Sequence, residues 1–334
     1  MKKGVITCIV LDVLALIFMF FTYGPVNYFR DLLVTTAMTT KSHKYIARTL
    51  YSENWINKIL SKNYVEEVNE DTDIGEIDFS LMQESDTYES VYEEQILKRE
   101  EGNDLYKLIE ISGNNYKGFL VAIYDPSRIE LVLSNQFGKK GQFLQNMAKD
   151  NNALVAINAG GFADAGGVGN GGIPTGTVIK DGQVVYKGDA TGWSGGLAGF
   201  NNDNVLVLTK GSVNDALAAG MRDAVEFGPF LIVNGKRAIV KGNGGWGVAS
   251  RTALAQRKDG IVLFLIIDGR QPGYSLGVNM NELTNILVKY KAYNAVNLDG
   301  GASSSLVINN KIINKPCANS VTGERWIPNA WMLK

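Results

Sequence analysis

The hydrophobic pattern divides the chain into three stretches. Residues 4–23 form an apolar run interrupted only by Thr7, Asp12 and Thr22. About 20 residues, rising about 1.5 Å each, cross a hydrocarbon core. Residues 24–102 hold no sustained core pattern, apart from a short helix expected over Ser52 to Leu60. From Leu105 onward, short apolar runs are split by Gly, Asn and Asp. Strands are expected at Phe119 to Tyr124, Arg128 to Leu133, Ala153 to Asn158, Thr177 to Lys180, Gln183 to Tyr186 and Phe230 to Val233. Asp181-Gly182 and Asn234-Gly235 are type I′ hairpin signals.

Two further strands, Ile261 to Ile267 and Ala295 to Leu298, flank a helix. Asn279 and Glu282 suit a capping box at its start. Leu283, Ile286, Leu287 and Tyr290 then fall on one face. The unbroken apolar run of the first strand suits burial on both sides. The expected fold is α+β: a mixed-sheet domain over residues 103–334 with a βαβ unit, preceded by an N-terminal transmembrane helix (1–23) and a juxtamembrane and acidic spacer (24–102).

Charge sharpens this division. Residues 1–65 carry eight Lys/Arg and three Asp/Glu; residues 66–101 carry fourteen Asp/Glu against Lys98 and Arg99. Such a stretch reads as a solvated, partly disordered spacer, with an acidic docking segment as the rival reading. Residues 102–334 carry 23 basic and 17 acidic side chains, which favours an anionic substrate but lacks the dense basic stripe of a nucleic-acid binder. Lys2 and Lys3 precede the apolar run, so the remainder of the chain is expected outside a cell membrane crossed once. Tyr23-Gly24-Pro25-Val26 offers no small-residue cleavage pattern, which favours an anchor over a cleaved signal peptide.

The residue inventory then limits the chemistry. His43 is the only histidine and lies far upstream of the domain; Cys8 and Cys317 are the only cysteines. A Ser-His-Asp or Cys-His mechanism, or a zinc site on His or Cys, is therefore not expected in the domain. Asp, Glu, Asn, Arg and Ser remain. The two strands of the βαβ unit end alike, in Asp268-Gly269-Arg270 and Asp299-Gly300-Gly301, the latter followed by Ala302-Ser303-Ser304-Ser305. Two carboxylates at one sheet edge divide acid and base labour when their environments separate their pKa values. The alternative is that each Asp-Gly is turn chemistry alone. Asn158-Ala159-Gly160-Gly161-Phe162 is a third strand-end loop, Arg251 suits phosphate or carboxylate recognition, and Trp246 suits sugar stacking. Asp268, Asp299, Asp164 and Asn158 offer oxygen ligands to a Ca²⁺ or Mg²⁺ ion, although no spacing dictates one.

These segments occur together in a known order. Asn158 to Phe162, Thr177 to Gly182, Pro229 to Gly235, Arg251-Thr252-Ala253, Asp268-Gly269-Arg270, Asn297 to Gly301 and Glu324-Arg325 resemble the phosphodiester glycosidase family. The resemblance spans Phe119 to Lys334. It implies hydrolysis of a sugar-1-phosphodiester; the expected membrane anchor, not the resemblance, points to an envelope or exopolysaccharide glycan as the polymer. By motif match it implies a site containing Asn158, Arg251, Asp268 and Asp299. Asp268 and Asp299 are assigned the acid, base or nucleophilic work, with Glu226 as a further candidate. Arg251 and the loop Gly300, Gly301, Ser303 and Ser304 are assigned to the phosphate. Gly160, Gly161, Arg270 and Arg325 complete the substrate-binding set. The rival reading is a surface glycan-binding module without catalysis. Ala302 replaces a family glycine, which costs nothing if its φ is negative, and Arg325-Trp326-Ile327-Pro328 replaces the family's Arg-Pro.

Overall fold

The apolar N-terminal run forms α1 (Lys2–Tyr23), whose large apolar side chains are exposed from Val5 to Phe21. It is long and apolar enough to cross a membrane. The computed structural model describes residues 2–40, 43–82, 87–164, 169–188 and 195–334. After α1 come α2 (Asn27–Thr39), α3 (Lys44–Leu50) and α4 (Glu53–Leu60), which share a small core of Val34, Ala37, Ala47, Tyr51, Ile56 and Ile59. The end of α1 is tied to this helical cap. Tyr51 Oη donates to the Thr22 carbonyl at 2.8 Å, and Tyr23 Oη donates to the Leu50 carbonyl at 3.0 Å. The cap is joined to the rest of the chain by β1 (Tyr64–Glu66), which pairs with β13 (Ile239–Lys241).

Three larger sheets follow. The first contains β2 (Tyr106–Ser112), β3 (Lys117–Ile123), β11 (Phe230–Val233), β12 (Lys236–Arg237), β14 (Arg251–Arg257), β15 (Val262–Ile267) and β16 (Ala292–Asn297), in the order β12-β11-β16-β14-β15-β3-β2. The second contains β4 (Ile129–Leu133), β5 (Val155–Asn158), β17 (Leu306–Ile308), β18 (Lys311–Ile312) and β19 (Asn329–Leu333), in the order β18-β17-β5-β19-β4. The third contains β6 (Val178–Lys180), β7 (Gln183–Tyr186), β8 (Gly196–Asn201), β9 (Leu206–Thr209) and β10 (Met221–Phe227), in the order β7-β6-β10-β8-β9. Their inner faces share one core, in which Phe200 and Trp331 meet edge to face at 5.4 Å. Helices back the outer faces: α5 (Val91–Leu97) and α8 (Met280–Lys289) behind the first sheet, α6 (Leu144–Asp150) behind the second, α7 (Val213–Ala218) behind the third.

The expected local signals are present. Asp181-Gly182 and Asn234-Gly235 all have positive φ, as type I′ turns require. Asn279 and Glu282 form a reciprocal capping box. The βαβ unit needs correction. Strands β15 and β16 run in the same direction, but β14 lies between them, antiparallel to both. The unit is therefore split, and every pairing among the described strands is antiparallel rather than mixed.

The acidic stretch also departs from the expectation of a solvated spacer. Its described residues form a strap over the sheets. Glu67 pairs with Lys210 at 2.9 Å, Glu70 with Lys236 at 2.6 Å, Glu76 with Lys258 at 2.7 Å, and Glu89 and Glu93 with Lys291 at 2.6 Å each. Four lysines of the domain, Lys210, Lys236, Lys258 and Lys291, thus meet carboxylates of the strap. Backbone bonds from Thr72 to Leu208 and from Asp78 to Lys258 add to this, and Ile96 of α5 is fully buried.

Candidate active site

The split topology gathers the chemistry at one sheet edge. Because β14 runs against its neighbours, its first residue, Arg251, lies beside Ile267 at the end of β15. Ala253 likewise lies beside Asn297 at the end of β16. The start of β14 and the ends of β15 and β16 therefore lie at one edge, and the Asn158 loop at the end of β5 joins them from the second sheet. A cleft of about 700 Å³ opens here. Of the residues expected at the site, Gly161, Arg251, Arg270, Asp299, Gly300, Gly301, Ser303 and Arg325 line it.

Arg251 is only 4% exposed. Its Nε donates to the Val278 carbonyl at 3.2 Å, and its Nη2 donates to the carbonyls of Trp246 and Gly247 at 2.7 Å each. Burial, with the Arg270 charge as a second cause, pushes its pKa down to about 9. It stays cationic at neutral pH. Among the described residues no carboxylate pairs with Arg251 or Arg270. Both arginines line the cleft, Arg251 with its Nε and Nη2 already held by backbone carbonyls and Arg270 exposed.

Arg270 has φ +60°, a left-handed conformation rare for a large side chain. Its amide donates to the Leu276 carbonyl at 3.1 Å. The side chain is laid over Gly301, where a Cβ would come within 2.9 Å of Nη2. Gly301 itself has φ +62°. Ser250 fixes this turn from both sides: its Oγ donates to the Gly301 carbonyl at 2.6 Å, and its carbonyl accepts from the Gly301 amide at 2.8 Å. Ala302 is not among the residues with positive φ, so the missing family glycine costs nothing there.

Several expected residues support the cleft without lining it. Asn158 is fully buried, donating to the Asp299 carbonyl and accepting from Thr252 Oγ1 and the Ser305 amide. Ser304 sits beside it, its hydroxyl 3.2 Å from Thr252 Oγ1. The Gly160 amide donates to Asn329 Oδ1. Glu226 accepts from the Thr177 amide at 2.8 Å, on the third sheet. Asp268 is 1% exposed and does not line the cleft. Its oxygens accept from Asn314 Nδ2 at 2.9 Å, Tyr274 Oη at 3.0 Å and the Lys315 amide at 3.0 and 3.1 Å. Burial raises its pKa against those opposing hydrogen bonds, and lifts the Tyr274 hydroxyl to about 12. Its place suggests a clamp on the 314–315 loop.

Of the oxygen ligands considered for a divalent cation, Asp299 lines the cleft. Asp268 and the Asn158 carbonyl oxygen are taken by donors, and Asp164 pairs with Arg325 at 3.1 Å. Among the described residues no group of three His, Cys, Asp or Glu gathers.

A family model for phosphodiester glycosidases matches residues 151–334. The chain belongs to the phosphodiester glycosidase family. Among curated proteins it is 31% identical, over 190 residues, to the SPbeta prophage-derived uncharacterized protein YomE of Bacillus subtilis (strain 168), covering 54% of this chain and 28% of YomE. It is 30% identical, over 115 residues, to N-acetylglucosamine-1-phosphodiester alpha-N-acetylglucosaminidase of Bos taurus, covering 34% of this chain and 19% of that protein. The chain thus spans less than a third of either relative. The catalytic domain of the zebrafish N-acetylglucosamine-1-phosphodiester alpha-N-acetylglucosaminidase, auto-inhibited by its pro-peptide, shares the fold with a TM-score of 0.57 at 21% identity, covering 70% of this chain and 85% of that one.

The cleft also contains residues that the sequence did not single out. Glu324 lines it and is 2% exposed; Oε1 accepts from the Gln145 amide at 3.0 Å, while Oε2 is buried with no hydrogen-bond partner among the described residues. Burial raises its pKa above the ordinary carboxylate value. Its place beside Arg325 in the family motif was the available signal. His43 also lines the cleft, brought there with Thr39 and Thr40 by the helical cap. The expectation that the lone histidine lies far from the site is thereby corrected, because distance along the chain was not distance in space.

Proposed function

We propose that this cleft hydrolyses the glycosidic bond of a sugar-1-phosphodiester in an envelope glycan. The observation that carries the reading is the pair of arginines, Arg251 and Arg270, lining a cleft that also holds Asp299 and the buried Glu324 oxygen that has no partner among the described residues. The arginines bind the phosphate oxygens. Asp299 acts at the anomeric carbon, as nucleophile or as base toward water. Glu324, whose pKa burial raises above the ordinary carboxylate value, donates a proton to the departing phosphate oxygen. The C1–O bond breaks, water supplies OH to the sugar, and a phosphate monoester leaves. Family membership supports the reaction class, and the name of the bovine relative supports a phosphodiester-linked sugar. Lys2, Lys3 and the exposed α1 support a membrane anchor with the cleft outside.

The test is incubation of the full chain with methyl phosphodiesters of several sugars, following free sugar and phosphate monoester. Turnover that falls at least a hundredfold in both Asp299→Asn and Glu324→Gln upholds the reading. Tight binding with no turnover of any sugar replaces it with a glycan-binding module.

A further inference from the structure

A second cavity, of about 650 Å³, lies between the helical cap and the domain. Phe29, Leu32 and Leu33 of α2 form one wall; Val248 and Leu276 form the other. It is apolar, whereas the cleft beside it is rich in charge. The two cavities share Thr40, His43 and Arg270 in their linings, so they are immediate neighbours. The mouth of the apolar cavity is close to the end of α1: the rings of Phe21 and Phe29 meet at 4.6 Å. Tyr28 is 61% exposed and Phe29 45%, which is costly in water and natural in a membrane interface.

We propose that this groove receives the hydrocarbon chain of a membrane lipid, so that the substrate is a lipid-linked sugar phosphate. The inference rests on the hydrolytic reading of the cleft and names its substrate class. A phosphodiester joins two groups, and Arg270 lines both cavities where the phosphate of such a molecule would lie. The sugar then occupies the polar cleft toward Asp299. The head-proximal part of the lipid lies along α2, and the remainder stays in the bilayer that α1 crosses. The arrangement explains why the cap is held beside the site. Gly247, at φ +60°, lies so near α2 that a Cβ there would come within 2.2 Å of Thr36 Oγ1.

The experiment uses the full chain in nanodiscs with two probes carrying the same sugar: methyl-phospho-N-acetylglucosamine and geranylgeranyl-phospho-N-acetylglucosamine. The expected result is a kcat/KM at least tenfold higher for the lipid probe. Phe29→Ser with Leu276→Ser, both exposed positions, should bring that ratio near one. Equal turnover of the two probes, or a ratio indifferent to the double substitution, overturns the lipid proposal and leaves the hydrolytic reading standing. If neither probe is cleaved, the hydrolytic reading of the cleft fails for this sugar, and equilibrium binding of geranylgeranyl monophosphate against inorganic phosphate decides the groove. Tighter binding of the lipid phosphate that is lost in the double variant upholds the groove, and equal binding overturns it.

Discussion

Asn158 Nδ2 donates to the backbone carbonyl of Asp299 at 2.6 Å, tying the end of β5 to the turn that presents the carboxylate. The same side chain accepts from Thr252 Oγ1 at 2.8 Å and the Ser305 amide at 3.2 Å. One buried amide thus sets the backbone on both sides of the Gly300–Ser304 turn. Asn158→Ala leaves buried groups without partners, at about 1–3 kcal/mol each. A lowered melting temperature and a kcat that falls more than KM rises are expected. An unchanged kcat in folded Asn158→Ala would remove the positioning role.

The approach of Arg270 to Gly301 gives a second expectation. Gly301→Ala places a methyl within 2.9 Å of the guanidinium and puts an L-residue at φ +62°. The exposed Arg270 is the part free to move, so the anion site opens while the fold persists. KM for a phosphodiester should rise. Arg270→Ala should raise it by roughly 10- to 150-fold, the equivalent of a lost hydrogen bond to a charged group. An aryl glycoside without phosphate should be indifferent to both changes, which separates phosphate binding from general damage.

These relationships show what the sequence could and could not disclose. Hairpins at Asp181-Gly182 and Asn234-Gly235, and the capping box at Asn279, depend on neighbours a few residues apart and were legible. Asp268 and Asp299 end their strands alike, yet only Asp299 lines the cleft. The difference is made by Asn314 and Lys315, which reach Asp268 from 46 and 47 residues away. What the 242–247 stretch packs against was not legible, because it is distant in sequence: a Cβ at Gly247 would come within 2.2 Å of Thr36 Oγ1 in the helical cap. At Gly242 a Cβ would come within 2.1 Å of Asn63 Oδ1. The strap read as disordered because its counter-charges, Lys210, Lys236, Lys258 and Lys291, are scattered along the later sequence.

Glu324 carries a pH prediction. Its folded pKa is raised by burial above the unfolded value near 4.5, so the folded state holds the proton to higher pH. The stability linked to that proton is fully present below about pH 4.5 and is lost as pH rises through the folded pKa. Gln at this position does not titrate. The melting temperature of Glu324→Gln relative to the parent should therefore rise with pH, and a constant offset from pH 4 to 9 would contradict a buried, proton-holding carboxyl. The parent's kcat should fall as pH climbs through the same pKa, with that limb absent from the residual activity of the variant.

The acidic strap yields the last expectation, because its ion pairs and its buried side chain should contribute unequally. The Lys236–Glu70, Lys258–Glu76 and Lys291–Glu89 pairs are largely exposed, and such pairs contribute about 0–1 kcal/mol. Ile96 is fully buried against the sheet face that carries α8, and a large-to-small change there costs about 2–5 kcal/mol. Ile96→Ala should therefore lower the melting temperature more than Lys236→Ala and Lys258→Ala combined. High salt should close little of the gap between Ile96→Ala and the parent, since screening acts on the exposed pairs and not on packing. If the lysine variants were instead the more destabilised, and salt erased the effect, the strap would be held by charge rather than by its one buried helix face.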